Sequence, residues 1–186
     1  DVVPFDAAYE MRQADLIDPE GAAQVVESVG AIDILANIAG GFTMGDSVAD
    51  TSDETWDFMF NLNTRTVLNM ARVVVPRMVE RKSGKIINIG ARAGLRGSAS
   101  MAAYAASKSV VIRLTESLAD ELKEAGINVN CILPSIIDTE RNRSDMPNAN
   151  FDQWVAPKAL AKVVRFLASE AADPIHGAAI PVEGLS

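Results

Sequence analysis

The chain has 186 residues, of which 48% are hydrophobic and 23% are charged. These fractions are typical of a globular domain and exclude a disordered or collagen-like chain. Acidic residues outnumber basic residues by 25 to 17, which gives a formal net charge of -8. A protein that binds duplex DNA needs a basic surface, so we expect no nucleic-acid partner.

The cysteine and histidine content also restricts the kind of site. The chain has one cysteine, Cys131, and one histidine, His176. A single cysteine cannot form an internal disulfide, which favours a cytoplasmic location. A single histidine argues against a zinc site and against a Ser-His-Asp triad, so we predict no metal. No apolar run approaches the ~20 residues that span a bilayer, and we therefore expect no membrane partner.

Short β-branched runs alternate with longer segments of helical periodicity. The short runs predict buried strands, with a weaker candidate at the start, at residues 13–16, 32–36, 85–89, 127–133 and 179–182. The periodic segments predict helices over residues 18–30, 51–81, 100–125 and 157–167. Pro76 should kink the second helix or end its regular part. Residues 135–156 are predicted to form a loop or lid.

This alternation of strands and helices predicts one α/β domain over residues 1–186, with a parallel sheet. Ligands of such sheets bind outside the carboxyl ends of the strands. The candidate site therefore lies in the segments that follow three of the predicted strands, at residues 37–41, 90–97 and 134–139.

Tyr104 and Lys108 are four residues apart on the third predicted helix, so they share one face. A free tyrosine has a pKa near ~10 and is a weak acid-base catalyst at neutral pH. An ammonium group one turn away favours the phenolate and should lower the pKa of Tyr104. Alone, this pair is most simply a tyrosine that packs over a solvated lysine.

Several further segments occur in a fixed order around this pair. The ordered set is Asn37-Ile38-Ala39-Gly40, Asn63, Tyr104-Ala105-Ala106-Ser107-Lys108, Pro134 to Thr139, and Gly177 followed by Pro181-Val182-Glu183-Gly184. Together these segments resemble the short-chain dehydrogenase/reductase family over essentially the whole chain. The resemblance implies a Rossmann-like, doubly wound parallel sheet and an NAD(P)-dependent oxidoreductase.

The resemblance also implies roles for individual residues. Tyr104 would be the proton donor or acceptor, and Lys108 would bind the nicotinamide ribose and lower the tyrosine pKa. Asn63 would hold a water that links Lys108 to solvent. The remaining cofactor contacts would come from Asp15 and Leu16 at the adenine, from Asn37, Ala39 and Gly40 beside the cofactor, and from Pro134, Ile137 and Thr139 at the carboxamide and pyrophosphate.

The family commonly forms dimers or tetramers, which implies a homodimer or homotetramer here. The contact would use the helices around residues 53–81 and 100–125. The other expected partner is a small-molecule substrate. The choice between NADH and NADPH does not follow from these residues.

Ala91 departs from the family pattern, because it stands where the family carries its catalytic serine. No hydroxyl is then available at this position to polarise a ketone. Dihydropteridine reductases share this alanine and keep the Tyr/Lys pair, and they give the closest local resemblance. A quinonoid pterin is an electron-poor ring that needs less oxyanion stabilisation than a ketone, so the loss is compatible with its reduction.

A second departure is the absence of the family's first βαβ unit and of its glycine-rich T-G-x-x-x-G-x-G loop. That loop holds the cofactor pyrophosphate. Without the unit, the strand at residues 32–36 would have one unpaired edge, which is costly to bury. We therefore expect either a longer natural product or an N-terminus, with Pro4 and Phe5, that packs in a new way.

Two alternatives to this reductase remain open. One is a non-catalytic relative, either a binding or scaffold protein or an inactive fragment. Ala91, the absent glycine-rich loop and Ser135, which stands where the family's P-G-x-x-x-T motif has glycine, favour this alternative. The other is a dehydrogenase for another alcohol or ketone, in which Ser98 or Arg92 replaces the lost serine.

Overall fold

The computed structural model of the protein describes residues 10–186. Its strands are β1 (Ile34–Asn37), β2 (Gly84–Ile89), β3 (Ile127–Pro134) and β4 (Ala179–Val182). Its α-helices are α1 (Pro19–Val29), α2 (Asp53–Phe60), α3 (Thr66–Arg81), α4 (Ala102–Leu122), α5 (Glu140–Asp145) and α6 (Pro157–Leu167). Among the described residues, no helix combines the length and apolar character that a membrane crossing requires.

The four strands form one parallel sheet in the order β1-β2-β3-β4. Each of the four stronger strand predictions is confirmed to within a few residues. All four strands run in the same direction, so their carboxyl ends meet at one edge of the sheet. This edge brings together the segments at residues 37–41, 90–97 and 134–139.

Neighbouring side chains of β2 enter different cores on the two faces of the sheet. Ile86 packs in a cluster with Val26 of α1 and Val74 of α3. Ile87 packs in a second cluster with Leu160 and Leu167 of α6. Since successive side chains of a strand point to opposite faces, helices cover both faces of the sheet. The prediction of a Rossmann-like, doubly wound α/β fold is therefore confirmed.

The outer edge of β1 has no strand partner within residues 10–186. Ile34 at its start is 50% exposed. The weak strand candidate at residues 13–16 was wrong, because the chain there is irregular. The carbonyl of Leu16, at the end of this segment, accepts a hydrogen bond from a side chain on α3, as described below. The predicted packing of Pro4 and Phe5 lies outside the described residues.

The helix predicted over residues 51–81 departs from α-geometry before Pro76, where the kink or end was expected. Residues Asn61–Arg65 form a π-helical turn between α2 and α3. The regular helix then continues past Pro76 to Arg81, so the proline does not end it. Such single π-turns inside α-helices frequently occur at functional sites.

The predicted loop at residues 135–156 is more ordered than expected. It contains α5 and a short 3-10 turn at Phe151–Gln153. A parallel bridge joins Ile137 to Val155, and Trp154 is buried. The segment is therefore packed at both its ends.

Gly126 links the last turn of α4 to β3 in a conformation that a side chain cannot adopt without strain. Its φ is +73°, and a Cβ there would lie 2.7 Å from the carbonyl oxygen of Lys82. We expect Gly126→Ala to lower the free energy of unfolding by about 2 kcal/mol or more, because the left-handed conformation and the backbone clash both cost free energy. Urea denaturation measures this change.

Gly97→Ala is the matched control for this prediction. A Cβ at Gly97 meets no atom within 4 Å. This variant should change the free energy of unfolding by less than about 0.5 kcal/mol. Equal effects of the two substitutions would contradict the argument.

Candidate active site

The side-chain amide of Asn63 joins three segments at the carboxyl edge of the sheet. Asn63 is fully buried in the π-helical turn. Its Oδ1 accepts a hydrogen bond from the Gly41 amide (2.9 Å), and its Nδ2 donates to the Gly41 carbonyl (3.1 Å) and to Ser107 Oγ (3.0 Å). Ser107 Oγ in turn donates to the carbonyl of Tyr104 (2.8 Å). The turn after β1 is therefore connected to α4 through Asn63.

Lys108 lies one helical turn after Tyr104 and is only 5% exposed. Its Nζ donates a hydrogen bond to the carbonyl of Ile89, the last residue of β2 (2.8 Å). Burial lowers the pKa of Lys108 to about 8, because a desolvated ammonium is less stable than a solvated one.

Gly40 approaches both polar side chains so closely that a larger residue would require them to shift. A Cβ at Gly40 would lie 2.9 Å from Asn63 Oδ1 and 3.0 Å from Lys108 Nζ. Three of the residues that the sequence suggested, Gly40, Asn63 and Lys108, thus lie within one small volume. Ala39, immediately before, is exposed at the same edge.

The ring of Tyr104 packs edge-to-face against Phe42, with the ring centroids 4.8 Å apart and the planes at 88°. Burial raises the pKa of Tyr104 above its ordinary value. The expectation that Lys108 would lower this pKa is wrong for this structure, because the loss of water around the phenol dominates. At neutral pH the phenol is therefore protonated, which suits a proton donor.

The side chain of Asn37 is hydrogen-bonded in the interior of the sheet. Its Nδ2 donates to Asn88 Oδ1 (2.8 Å), and Asn88 Nδ2 donates to Thr115 Oγ1 on α4 (2.9 Å). Both asparagines are buried. Asn37 therefore holds the turn before Gly40 in place, rather than offering its side chain to a ligand.

The segment after β3 is held by its own polar side chains. Pro134, the last residue of β3, is buried, and Ser135 Oγ donates to the carbonyl of Glu183 after β4 (2.7 Å). Thr139 caps α5 by accepting a hydrogen bond from the Asn142 amide (3.2 Å). The carbonyl of Ile137 accepts a hydrogen bond from Asn142 Nδ2 (2.7 Å).

Asp15 and Leu16 belong to a different part of the chain's surface, between α1 and α3. Asp15 Oδ1 accepts a hydrogen bond from the Ile17 amide (2.9 Å). Asn69 Nδ2, on α3, donates to the carbonyls of Leu16 (3.0 Å) and Ile17 (2.9 Å). These contacts fix the segment on α3, while Gly40, Asn63 and Lys108 form a separate group.

Ala91 is buried directly after β2 and places no hydroxyl in the site. Arg92 is engaged elsewhere, since its Nε pairs with Glu183 Oε1 (2.9 Å) and its Nη1 donates to the carbonyl of Ser186 (3.0 Å). Ser98 lies exposed in the following loop. Neither residue is positioned by its contacts to replace a serine at position 91.

Sequence reasoning missed Phe42, Ser107 and Asn69. Ser107 had a usable signal, because it lies beside Lys108 in the motif. Phe42 and Asn69 act across long sequence separations, and no local pattern indicates such contacts.

Comparisons with known proteins identify the family of the chain. Residues 6–150 match the short chain dehydrogenase family. A 3-oxoacyl-[acyl-carrier-protein] reductase from Thermotoga maritima is 33% identical over 176 residues, which cover 89% of this chain and 70% of the relative. The chain belongs to the short-chain dehydrogenase family.

Other members of this family are similar to the same extent. A 2-dehydro-3-deoxy-D-gluconate 5-dehydrogenase from Dickeya dadantii is 33% identical over 186 residues, covering 92% of this chain and 73% of the relative. A solved structure described as a short chain dehydrogenase/reductase family protein superposes with a TM-score of 0.86 at 29% identity, covering 93% of this chain and 74% of that one. Membership makes this protein a short-chain dehydrogenase-type oxidoreductase.

A second similar solved structure is described with a bound cofactor. It is a putative NAD(P) dependent gluconate 5-dehydrogenase from Beutenbergia cavernae, described with bound NADP at low occupancy. It superposes with a TM-score of 0.85 at 30% identity, covering 92% of this chain and 74% of that one.

The buried ammonium of Lys108 makes the stability of this short-chain dehydrogenase depend on pH. The pKa of Lys108 is about 8 in the folded protein and near the ordinary value of 10.5 in the unfolded chain. Between these values the unfolded chain binds more protons, so raising the pH stabilises the fold. Below pH 8 both states are charged, and the folded state bears the full cost of burial.

Lys108→Met removes this pH dependence. We expect the stability of Lys108→Met relative to the wild type to fall by about 2 kcal/mol as the pH rises from about 7 to about 10. Urea denaturation at several pH values measures the difference. The control is Lys162→Met on the exposed side of α6, whose difference from the wild type should stay constant. A constant difference for Lys108→Met would refute the argument.

Proposed function

We propose that the protein is an NAD(P)-dependent reductase that delivers a hydride to a carbonyl-type substrate, with Tyr104 as the proton donor. The observation that carries the proposal is the grouping of Gly40, Asn63 and Lys108, with Tyr104 one helical turn before the lysine. The family's relatives that are named as reductases and dehydrogenases support it. So does the neighbour described with bound NADP.

The donor groups fit the ribose end of such a cofactor. Among the described residues, the Lys108 ammonium donates to one acceptor, the Ile89 carbonyl. An ammonium has three donors, so two remain for ribose hydroxyls. The absence of a side chain at Gly40 leaves room beside them.

We propose the other cofactor contacts at positions whose backbone is fixed by hydrogen bonds to neighbouring side chains. Asp15 and Leu16 would contact the adenine, and their backbone is anchored by Asn69. Ala39 and Gly40 would line the cofactor in a turn that Asn37 holds from behind. The nicotinamide end would meet the residues after β3, namely Pro134, Ile137 and Thr139, and residues 135–156 would act as a lid.

When bound, the nicotinamide supplies the hydride to the substrate carbon. The chain's own part in the reaction is the proton. The Tyr104 phenol donates its proton to the substrate oxygen as that oxygen gains charge, which yields an alcohol and a phenolate. The Lys108 ammonium, one helical turn further along α4, would stabilise the phenolate by its charge. Asn63 keeps the turn after β1 and α4 in register during this step.

The substrate class depends on Ala91. A ketone such as a 3-oxoacyl thioester or a keto-gluconate, the classes that the relatives' names indicate, receives a hydrogen bond from Tyr104 and none from position 91. A quinonoid dihydropteridine is the second candidate, because its electron-poor ring needs less stabilisation of developing charge. The buried, apolar Ala91 is the observation that favours it.

Tyr104→Phe tests the mechanism. We expect wild-type protein to oxidise NADH or NADPH with one of three probes: an acetoacetyl thioester, 5-keto-D-gluconate or quinonoid dihydropterin. The variant should lose about 100-fold or more in kcat, because a general acid contributes at least that much. An unchanged kcat would remove Tyr104 from the mechanism. A folded wild type that binds neither NADH nor NADPH would instead support the non-catalytic alternative.

Ala91→Ser separates the two substrate classes. A hydroxyl at position 91 should raise kcat for the ketone probes by about 10-fold or more, because a second donor to the oxyanion is added. The pterin rate should change little. Equal gains with both classes would contradict this assignment.

We further propose that the protein is a homo-oligomer that uses the faces of α2, α3 and α4. Phe58 and Trp56 on α2 are 56% and 40% exposed, and the Trp56 ring stacks on Phe60 with the centroids 4.9 Å apart. Large exposed aromatic side chains of this kind are candidates for a contact site. Phe58→Asp should therefore shift the protein to a smaller species in sedimentation velocity. The control Phe166→Asp changes a 44% exposed phenylalanine on α6 and should leave the species unchanged. A monomeric wild type would contradict the proposal.

A further inference from the structure

Phe42 occupies an unusual place for a large apolar side chain. It lies in the loop after β1 and is 54% exposed, yet its ring packs edge-to-face on Tyr104. A phenylalanine that leaves half of its surface in water gains little from hydrophobic burial. Edge-to-face ring pairs add an attraction of about 1 kcal/mol with a defined geometry. The contact with Tyr104 therefore contributes substantially to holding the Phe42 ring in place.

The backbone immediately before Phe42 is fixed against the π-helical turn. Gly41, immediately before it, exchanges two hydrogen bonds with the side chain of Asn63. A Cβ at Gly41 would lie 2.6 Å from Leu62 Cδ2, so the turn lies directly against the π-helical segment. The position of the Phe42 ring is thus set by the same residue, Asn63, that is linked through Ser107 to the carbonyl of Tyr104.

We propose that Phe42 is a positioning residue for Tyr104, whose ring holds the phenol in one orientation and shields one side of it from water. The proposal rests on the proposed function only in taking Tyr104 as the proton donor. Phe42 itself contributes no proton and no charge, and it acts through Tyr104.

Lys108, Arg92 and Cys131, on α4 and on elements packed against it, are paired or buried, and burial is the cause that raises the pKa of the Tyr104 phenol. On α4 the Lys108 ammonium donates to the Ile89 carbonyl. In the 3-10 turn after β2, Arg92 is paired with Glu183. Cys131 on β3 is buried, and burial raises the pKa of its thiol to about 11. Burial likewise raises the pKa of Tyr104, so removing the Phe42 ring should admit water and lower that pKa.

Tyr104 can be titrated directly, without substrate or cofactor. The chain has two tyrosines, Tyr9 and Tyr104. In a Tyr9→Phe background, ultraviolet absorbance of the phenolate therefore reports Tyr104 alone. We expect Phe42→Ala to lower the midpoint by about half a unit or more relative to this background, because the phenolate regains hydration. Phe42→Trp should keep the midpoint near that of the parent.

Met44→Ala is the matched control, since Met44 is 58% exposed two residues further along the same loop. Its midpoint should equal that of the parent. Circular dichroism at each pH excludes unfolding as the cause, and Phe42→Leu provides a milder variant if Phe42→Ala does not fold. An unchanged midpoint in the folded Phe42 variants would overturn the proposal. An equal decrease in Met44→Ala would overturn it too, because that would show general loosening of the loop.

Kinetics give a second readout that separates this inference from the proposed function. If the wild type is active, Phe42→Ala should lower kcat about 10-fold and leave the KM for NAD(P)H unchanged. The alkaline limb of its pH-rate profile should move to lower pH. If the wild type neither binds NAD(P)H nor turns over a probe, the proposed function fails, while the titration still decides whether Phe42 shields the phenol. An unchanged kcat and pH profile in an active protein would refute the inference alone.

Discussion

The amide of Asn63 is the contact on which the geometry of the site depends. An amide side chain has an acceptor and two donors, and this one uses them on Gly41 and Ser107 at the same time. The two partners belong to segments on either side of the π-helical turn, so one buried group sets the distance between the turn after β1 and α4. The π-turn follows from the same requirement, since it lets an asparagine inside a long helix reach both neighbours. Loss of the amide would leave buried donors and acceptors without partners, which costs more free energy than a surface hydrogen bond provides.

A second group of buried polar side chains fixes the alignment of the sheet. Asn37, Asn88 and Thr115 form a chain of hydrogen bonds from β1 through β2 to α4. Buried polar groups of this kind are stable only when every member is paired, and a shift of register by one residue would unpair them. They therefore specify one alignment of β1 against β2 in a sheet whose outer edge, within the described residues, has no other strand to fix it. The position of Gly40 beside Lys108 depends on that alignment.

The sequence predicted the features that come from local pattern, and it failed where solvation or distant contacts decide. The β-branched runs located all four strands, and the Tyr104–Lys108 spacing indicated the candidate site. The strand suggested at residues 13–16 failed because no strand pairs with this segment within the described residues, and the carbonyl of Leu16 at its end bonds to Asn69 on α3. The pKa of Tyr104 was expected to fall, since the lysine was visible in the sequence. The contact with Phe42 was not visible, and burial of the phenol raises that pKa instead.

The raised pKa of Tyr104 and the alanine at position 91 have a common consequence for the chemistry. A protonated phenol is a good hydrogen-bond donor to a substrate oxygen at neutral pH, but Ala91 supplies no second donor beside it. In the proposed mechanism, stabilisation of developing negative charge rests on Tyr104 and on the Lys108 ammonium. Burial lowers the pKa of Lys108 to about 8, so the lysine loses its positive charge before the phenol ionises as the pH rises. On this proposal, one donor and one titratable cation favour substrates that accept a hydride readily without strong polarisation, and reduction of an ordinary ketone should decline at the pH where Lys108 becomes neutral.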